Sequence, residues 1–526
     1  MNWQKLLALG PSGPAFPRAL WSKPIKDVST TAWVDGVRGL AALIVTVNHL
    51  AWHVIGPLFQ GYKAFPPEEH SSIFQLPGLR IIFGARAMVP LFFVISGYCI
   101  SLSSIRARNG IHDTTTDATT AAAAALLSTL SNTVFRRAIR LMVPVLAITL
   151  LSQLVYALGG YSAWPLRDDR DTLPTGPSQS SPLAHAAYLV AYWGSLFDQV
   201  LTGRRCAGTG SRDCPVGLNG QVWTIPLELR GSLLVYLCVL GLARVRHAPR
   251  VWALAALAAA MLARAWWEAA TFVAGLLIAE VTQGGGGGNA STVAEGGCAR
   301  RGGVEQGEDL LLAVVSPSCP PSSPLAPAAW RPRWHRDHCQ RRRPGLRAGR
   351  RRRNAAAAVL AFVGVWLLCF PNDPDVLGGY GPCYDFLFTR LAPARWLVGD
   401  GPPRAEFCWR AVGGMAFVAA LAGDGAWSAL LRRPFSSAAA QYFGRISFML
   451  YLVHIMVFES LLLRLQLPLT LVLGADRRGL AGGIARITLL PLVFWLSEVL
   501  VEVVDKRSVA WAKRLSESWL AFPPGR

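Results

Sequence analysis

The sequence predicts an all-α polytopic membrane protein with about ten transmembrane helices. Of its 526 residues, 52% are hydrophobic and only 16% are charged, whereas soluble domains carry roughly 25% charged residues. The mean hydropathy is +0.34, and apolar runs long enough to cross a bilayer recur from one end of the chain to the other. These observations favour one polytopic membrane domain over several soluble domains.

Ten apolar runs, taken in order along the chain, qualify as membrane spans. They cover residues 34–58, 85–103, 141–158, 222–243, 249–265, 268–281, 355–371, 407–423, 444–464 and 483–504. The run 184–201 is also apolar, but it carries His185, Asp198 and Gln199. Because these polar side chains do not suit the hydrocarbon core, we interpret this run as an interfacial helix.

The segment 281–354 differs in composition from the rest of the chain. It contains five consecutive glycines, Gly284–Gly288, and thirteen arginines against five acidic residues. No hydrophobic period survives in most of it, so we predict a disordered, basic, cytosolic insert. The predicted parts are then a cytosolic N-terminal segment at 1–32, a membrane domain at 33–280 and 355–505 on either side of the insert, and a cytosolic tail at 506–526.

The distribution of positive charge predicts the orientation in the membrane. With a cytosolic N-terminus, the cytosolic flanks of the spans carry Arg136, Arg137 and Arg140, then Arg244, Arg246 and Arg250, then Lys506 and Arg507. Short loops rich in Lys and Arg stay in the cytosol, so both termini are expected on the cytosolic side. The membrane is expected to be that of the endoplasmic reticulum or another endomembrane. We attribute much of the net charge of +21 to such loops and expect no nucleic-acid partner.

Two ionisable residues of the first span, Arg38 and His49, lie eleven positions apart. Eleven helical steps make three turns plus roughly 20°, so both side chains lie on one stripe, with His49 about 16 Å deeper in the membrane. An ionisable group at that depth is costly and indicates a functional site. The alternative is a packing histidine that a neighbouring carbonyl satisfies.

Further polar residues enter the second, third and fourth spans. Arg137 and Arg140 share one helical face at a span end, where two guanidinium groups suit either a polyphosphate or lipid headgroups. Glu228, five residues after Trp223, must pair or stay protonated, and Arg38, Arg137 and Arg140 are its candidate partners. The Ser96-Gly97 pair predicts a close approach of two helices, and we assign Ser96 itself to helix packing.

The ninth span carries a second polar stripe. Ser447, Tyr451 and His454 lie at positions i, i+4 and i+7 and therefore share one side of the helix. His454 is thus a second intramembrane histidine, with either a supporting role in a site or a packing role. We expect no metal site, and interpret His335, His338 and Cys339 as a chance concentration of ligand-type residues.

Taken in order, these motifs resemble the type-3 membrane acyltransferase family, and fungal-type members most of all. The similarity consists of DGVRGLAALIVTVNH with Arg38 and His49, FFVISGY, Arg137-x-x-Arg140, WTIPLE and GRISFMLYLVH, between about residues 33 and 505. The resemblance implies ten spans, an acyl-CoA donor and transfer of an acyl group to a hydroxyl. It also implies that Arg38 and His49 are required and that Arg137 and Arg140 contribute.

We therefore expect an integral-membrane O-acyltransferase that uses acyl-CoA, with acetyl as the default acyl group, and no tightly bound cofactor. The acceptor is a hydroxyl of a small molecule such as a fungal secondary metabolite, of a lipid or of a glycan. Arg137 and Arg140 would hold the donor phosphates, His49 would act as general base or form an acyl-histidine, and Arg38 would orient the donor or stabilise an oxyanion. The supporting residues would be Trp223, Glu228, Ser447, Tyr451 and His454.

The rival hypotheses are a transporter or flippase with a path lined by His and Arg, and a non-catalytic membrane scaffold.

Overall fold

A computed structural model describes residues 31–109, 116–161, 181–203, 218–284, 344–372, 380–397 and 404–520. Within these ranges the chain consists of helices and connecting turns, and no strand occurs. The predicted all-α class is therefore confirmed. The chain divides into two units, Met1–Gly284 with Asn354–Arg526, and Gly285–Arg353. The site described below belongs entirely to the first unit.

Twelve long helices form the described part of the chain. They are α1 (Ala32–Ile55), α2 (Ala85–Asn109), α3 (Thr116–Ala157), α4 (Pro182–Thr202), α5 (Thr224–Gly241), α6 (His247–Ala263), α7 (Trp267–Gly284), α8 (Pro344–Leu368), α9 (Arg404–Ala422), α10 (Ala438–Leu473), α11 (Arg478–Leu500) and α12 (Lys506–Trp519). A helix lies at each of the ten predicted spans, and α4 occupies the predicted interfacial run.

Seven helical segments in the described residues are long and apolar enough to cross a membrane. They are Ala32–Ala51, Ala85–Asn109, Ala123–Ala157, Gly220–Gly241, Ala405–Ala422, Ala438–Leu473 and Ala475–Trp519. Three predicted spans fall short of this criterion. Helix α6 is apolar but has 17 residues, α7 carries Glu268 and Glu280, and α8 begins with an arginine-rich stretch.

The structure corrects the boundaries of two predicted segments. Helix α3 begins 25 residues before the predicted third span, because its alanine-rich start has a high helix propensity without being strongly apolar. The predicted disordered insert is helical at both ends, since α7 runs to Gly284 and α8 begins at Pro344. Residues 285–343, which make up most of the insert, lie outside the described part of the chain.

Two pairs of glycines bring helices into close contact. A Cβ atom on Gly39 of α1 would overlap the backbone of Gly444 in α10, and a Cβ on Gly444 would overlap the backbone of α1. Gly97 of α2 and Gly275 of α7 approach each other in the same way, as predicted for Gly97. Small residues at a helix crossing let backbones pack closely in a membrane, so these contacts fix how α1 and α2 sit against their neighbours.

One buried arginine holds the connection between α1 and α2 in place. The guanidinium group of Arg80, 1% exposed, donates to the backbone carbonyls of Phe59, Gln60 and Cys369. Burial lowers the pKa of Arg80 to about 10, so it remains charged near neutral pH. Asn48 donates to the carbonyl of Ile82 in this connection at 2.8 Å, which anchors it beside His49.

At the other end of the bundle, α12 packs against α3. A π-helical turn, Val501–Asp505, separates α11 from α12. Nε of Arg136 donates to the hydroxyl of Ser516 at 2.7 Å, and the rings of Phe135 and Trp519 lie 6.3 Å apart. These contacts position the part of α3 that carries Arg137 and Arg140.

Candidate active site

A cavity of about 660 Å³ lies within the helix bundle and collects the polar residues that the sequence predicted. Helices α1, α2, α3, α5 and α10 contribute to its wall. Eight of the nine predicted site residues line it, namely Arg38, His49, Arg137, Arg140, Trp223, Glu228, Ser447 and Tyr451. The ninth, His454, lies directly behind His49. Side chains as far apart as Arg38 and Tyr451 in the sequence therefore share one cavity.

His49 and His454 form a direct contact between α1 and α10. Nδ1 of His49 lies 2.7 Å from Nε2 of His454, and the two ring planes are within 7° of parallel. Nδ1 of His454 lies 3.0 Å from the carbonyl oxygen of Leu450. His454 is completely buried, whereas His49 is partly exposed to the cavity.

Arg137 is the partner of Glu228 among the three candidates that the sequence left open. Its Nη2 lies 2.7 Å from Oε1 of Glu228 and 2.9 Å from the hydroxyl of Ser96, and its Nε donates to Ser232 at 3.2 Å. Ser96 itself donates to Glu228 at 2.8 Å. The assignment of Ser96 to helix packing was therefore wrong, because its hydroxyl belongs to the polar wall of the cavity. Arg137 is held in one orientation by three side chains.

Arg140 and Arg38 lie nearby but are held much less firmly. Arg140 is exposed to the cavity, and no hydrogen bond or ion pair joins it to another described residue. Arg38 forms an ion pair of 3.6 Å with Asp35, and both side chains are substantially exposed, so the pair is weak. The three arginines act on one another electrostatically, with Asp505 as an acidic neighbour. This end of the cavity is therefore cationic, with guanidinium groups available to an anion.

Tyr451 is fixed by Gln221, in the turn before α5, and by Thr224, the first residue of α5. Its hydroxyl donates to the carbonyl oxygen of Gln221 and therefore accepts from Thr224, 2.7 Å away. Gln221 in turn donates to the carbonyl of Leu452 at 2.8 Å. Ser447 lines the cavity, but its hydroxyl donates to the carbonyl of Gly444 within its own helix at 2.8 Å.

The structure adds polar lining residues that the sequence reasoning missed. They are Arg86, Tyr161, Gln221, Thr224, Arg445, Glu459 and Asp505. Glu459 lies within the ninth predicted span, and an acidic residue inside an apolar run is a signal that could have been used. In the described residues no group of three or more His, Cys, Asp or Glu side chains is placed to hold a metal ion, and His335, His338 and Cys339 lie outside those residues.

The described part of the chain is helical, and one cavity in it joins a cationic end to His49, whose ring contacts the buried His454. Ionisable side chains gathered in this way within membrane-spanning helices indicate a functional site. Residues 31–497 match the type-3 acyltransferase family, whose model describes an acyltransferase domain. The chain belongs to this family and is a membrane acyltransferase. The transporter and scaffold hypotheses are therefore set aside in favour of the enzyme.

Three fungal proteins are similar to this chain. The O-acetyltransferase PaAT-1 of Phomopsis amygdali is 25% identical over 96% of this chain and 88% of its own length. The acyltransferase clz18 of Cochliobolus lunatus and the acyltransferase R4 of a Phoma species are 27% and 25% identical. These two alignments each cover 49% of this chain, and 58% and 59% of the respective relatives. No solved structure matches the chain significantly.

Proposed function

We propose that the protein transfers an acyl group, acetyl by default, from acyl-CoA to a hydroxyl group of a small organic molecule. The observation that carries this proposal is that one cavity joins the cationic end at Arg140 to the histidine pair. A relative that aligns along nearly the whole chain is named an O-acetyltransferase, which supports acetyl as the acyl group and a hydroxyl as its acceptor.

The cationic end would receive the phosphates of the donor. Guanidinium groups bind phosphate oxygens bidentately and keep their charge when partly buried. Arg140 has no partner to give up within the described residues, so it would contact phosphate directly. Arg137, held by Glu228, Ser96 and Ser232, presents a fixed positive charge beside it. Arg38 lies on the same helix as His49, about three turns away, and would help to orient the donor at its phosphate end.

His49 would then act as general base. Its ring takes the proton of the acceptor hydroxyl as the acceptor oxygen attacks the thioester carbonyl carbon. The carbon–sulfur bond breaks, the ester forms, and the CoA thiolate leaves and recovers the proton from His49. The reaction yields one ester and one free thiol, and it needs no oxidant, reductant or metal ion.

The remaining wall of the cavity suits a largely apolar acceptor. Phe92, Phe407, Phe448 and Ile455 line it, and its volume of about 660 Å³ lies within the range of small-molecule sites, roughly 300–1,000 Å³. These properties support a small molecule, such as a secondary metabolite, over a glycan or a bilayer lipid as acceptor. We further propose an endomembrane location with the cationic end facing the cytosol, where acyl-CoA is available.

The direct test uses purified protein in detergent with labelled acetyl-CoA and a panel of small alcohols, lipids and sugars. We expect release of CoA and appearance of label in an organic-soluble ester. Transport would need a sealed vesicle, whereas this reaction does not. Label on the protein before an acceptor is added would indicate an acyl-histidine and replace direct transfer. No CoA release with any acceptor would contradict the proposed donor.

Replacing Arg140 by Lys should raise the KM for acetyl-CoA about 3- to 10-fold with little change in kcat, because lysine keeps the charge but loses the bidentate contact. The measurement is initial-rate kinetics with acetyl-CoA and, in parallel, with a short acetyl thioester that lacks phosphates. The KM for the short thioester should not change.

The matched control for this substitution is Arg478→Lys, at the exposed start of α11 and away from the cavity, which should leave both KM values unchanged. An unchanged acetyl-CoA KM in Arg140→Lys would indicate instead that Arg140 anchors the helix at the lipid headgroups.

A further inference from the structure

His454 lies outside the cavity, yet both of its ring nitrogens are engaged. One faces the Leu450 carbonyl at 3.0 Å and the other faces His49 at 2.7 Å. Each ring nitrogen of a buried histidine needs a polar partner, and the carbonyl satisfies only Nδ1. The partner of Nε2 is His49, a residue that lines the cavity.

The Leu450 carbonyl determines where the protons are. A carbonyl oxygen only accepts hydrogen bonds, so Nδ1 of His454 must carry a proton. In a neutral ring Nε2 of His454 then has a free lone pair and accepts a hydrogen bond from His49. Nδ1 of His49 must therefore carry the proton of that bond, and Nε2 of His49 is left unprotonated. That nitrogen is the one available to a molecule in the cavity, since Nδ1 is already engaged.

We propose that His454 is a positioning residue, which fixes the tautomer and orientation of His49 so that Nε2 of His49 faces the acceptor hydroxyl as a base. This inference rests on the proposed function, in which His49 takes the acceptor proton. When His49 gains that proton, its Nδ1–H bond to His454 becomes charge-assisted and stronger. His454 thus stabilises the charged form of the base, which exists only during transfer.

The helix packing supports this role. Gly39 and Gly444 are in contact between α1 and α10, and His49 and His454 each lie ten residues further along their helices. The two helices therefore run parallel and in register from the glycine contact to the histidine contact, about 15 Å away. Because the glycine contact is close and involves backbone on both sides, the histidines are held at hydrogen-bond distance by the fold itself.

The test compares two replacements of similar size. His454→Phe removes the acceptor, while the side-chain carbonyl oxygen of Gln in His454→Gln can accept from Nδ1 of His49. We expect the Phe variant to lose about 10- to 100-fold in kcat with an unchanged KM for acetyl-CoA, as suits the loss of a hydrogen bond to a charged group. The Gln variant should stay within a few-fold of wild type. In a His49→Ala background, His454→Phe should cause no further loss, because the two residues act as one unit.

A second measurement does not depend on activity. In protein labelled with ¹⁵N-histidine, the His49 signals, assigned by their absence in His49→Ala, should show a protonated Nδ1 and an unprotonated Nε2, and His454→Phe should abolish this preference. A Phe variant with wild-type kcat, or a His49 protonated at Nε2, would overturn the inference. Equal losses in the Phe and Gln variants with equally lowered thermal stability would assign His454 to packing. If wild-type protein releases no CoA, the proposed function fails, and the NMR result still decides the positioning.

Discussion

Replacing His49 by Ala is expected to reduce acyl transfer by roughly 10²–10⁴-fold, the usual contribution of a positioned general base. Alanine removes the one ring nitrogen that the structure leaves available to the cavity. The cationic end that would bind the donor lies about three helical turns away on α1, so the affinity for acetyl-CoA should be retained. The measurements are the rate of CoA release and binding of a non-hydrolysable CoA analogue by the purified protein.

The control for this substitution is His247→Ala. His247 is exposed at the start of α6 and does not line the cavity, so its removal should change neither rate nor expression. The His49→Ala protein should insert into the membrane and purify normally. Full activity in that variant would exclude His49 as the base and leave the histidine pair with a packing role.

The helices and the polar stripes could be predicted from sequence because both are local properties. Apolar run length identified the segments, and helical periodicity placed Arg38 with His49 and Ser447 with His454. Each of these relations joins residues within eleven positions. The all-α membrane class followed from the same signals, and the structure confirms it.

The contacts between stripes could not be predicted, because they depend on how distant helices pack. His49 and His454 are 405 positions apart, and no local pattern indicates that their rings meet. The choice of Arg137 over Arg38 and Arg140 as the partner of Glu228 likewise depends on the relative rotation of α3 and α5. Asp505 lines the cavity from a π-helical turn between α11 and α12. Such turns often occur at functional sites, and the apolar period of the sequence did not indicate this one.

Two glutamates, Glu268 and Glu280, lower the hydropathy of α7 as a membrane span. One of them, Glu280, forms ion pairs with an arginine of α2 and an arginine of α6. The carboxylate of Glu280 in α7 accepts hydrogen bonds from Nη1 and Nη2 of Arg108 in α2. Its Oε2 also lies 3.2 Å from Nε of Arg250 in α6. All three side chains are at most 4% exposed. One carboxylate thus joins three helices and compensates two buried cations.

Replacing Glu280 by Gln should lower the free energy of unfolding by about 3–5 kcal/mol, because two buried guanidinium groups would lose their counter-charge. Thermal and denaturant unfolding in detergent would measure this loss. As a control, Glu517→Gln removes an exposed carboxylate 4.0 Å from Lys513 on α12 and should change the stability by less than about 1 kcal/mol.

A triple variant separates charge from packing at this site. In Arg108→Met, Glu280→Leu, Arg250→Met the charges are removed together, and buried ion pairs replaced by apolar side chains of similar volume are often neutral or stabilising. We therefore expect the triple variant to recover most of the stability that Glu280→Gln loses. If Glu280→Gln is as stable as wild type, water reaches the arginines. If the triple variant is less stable than Glu280→Gln, the side-chain geometry, and not the pairing of charges, holds α2, α6 and α7 together. Because α2 carries Ser96 in the cavity wall, the unfolding measurements should be accompanied by the CoA-release assay, in which the triple variant should regain activity along with stability.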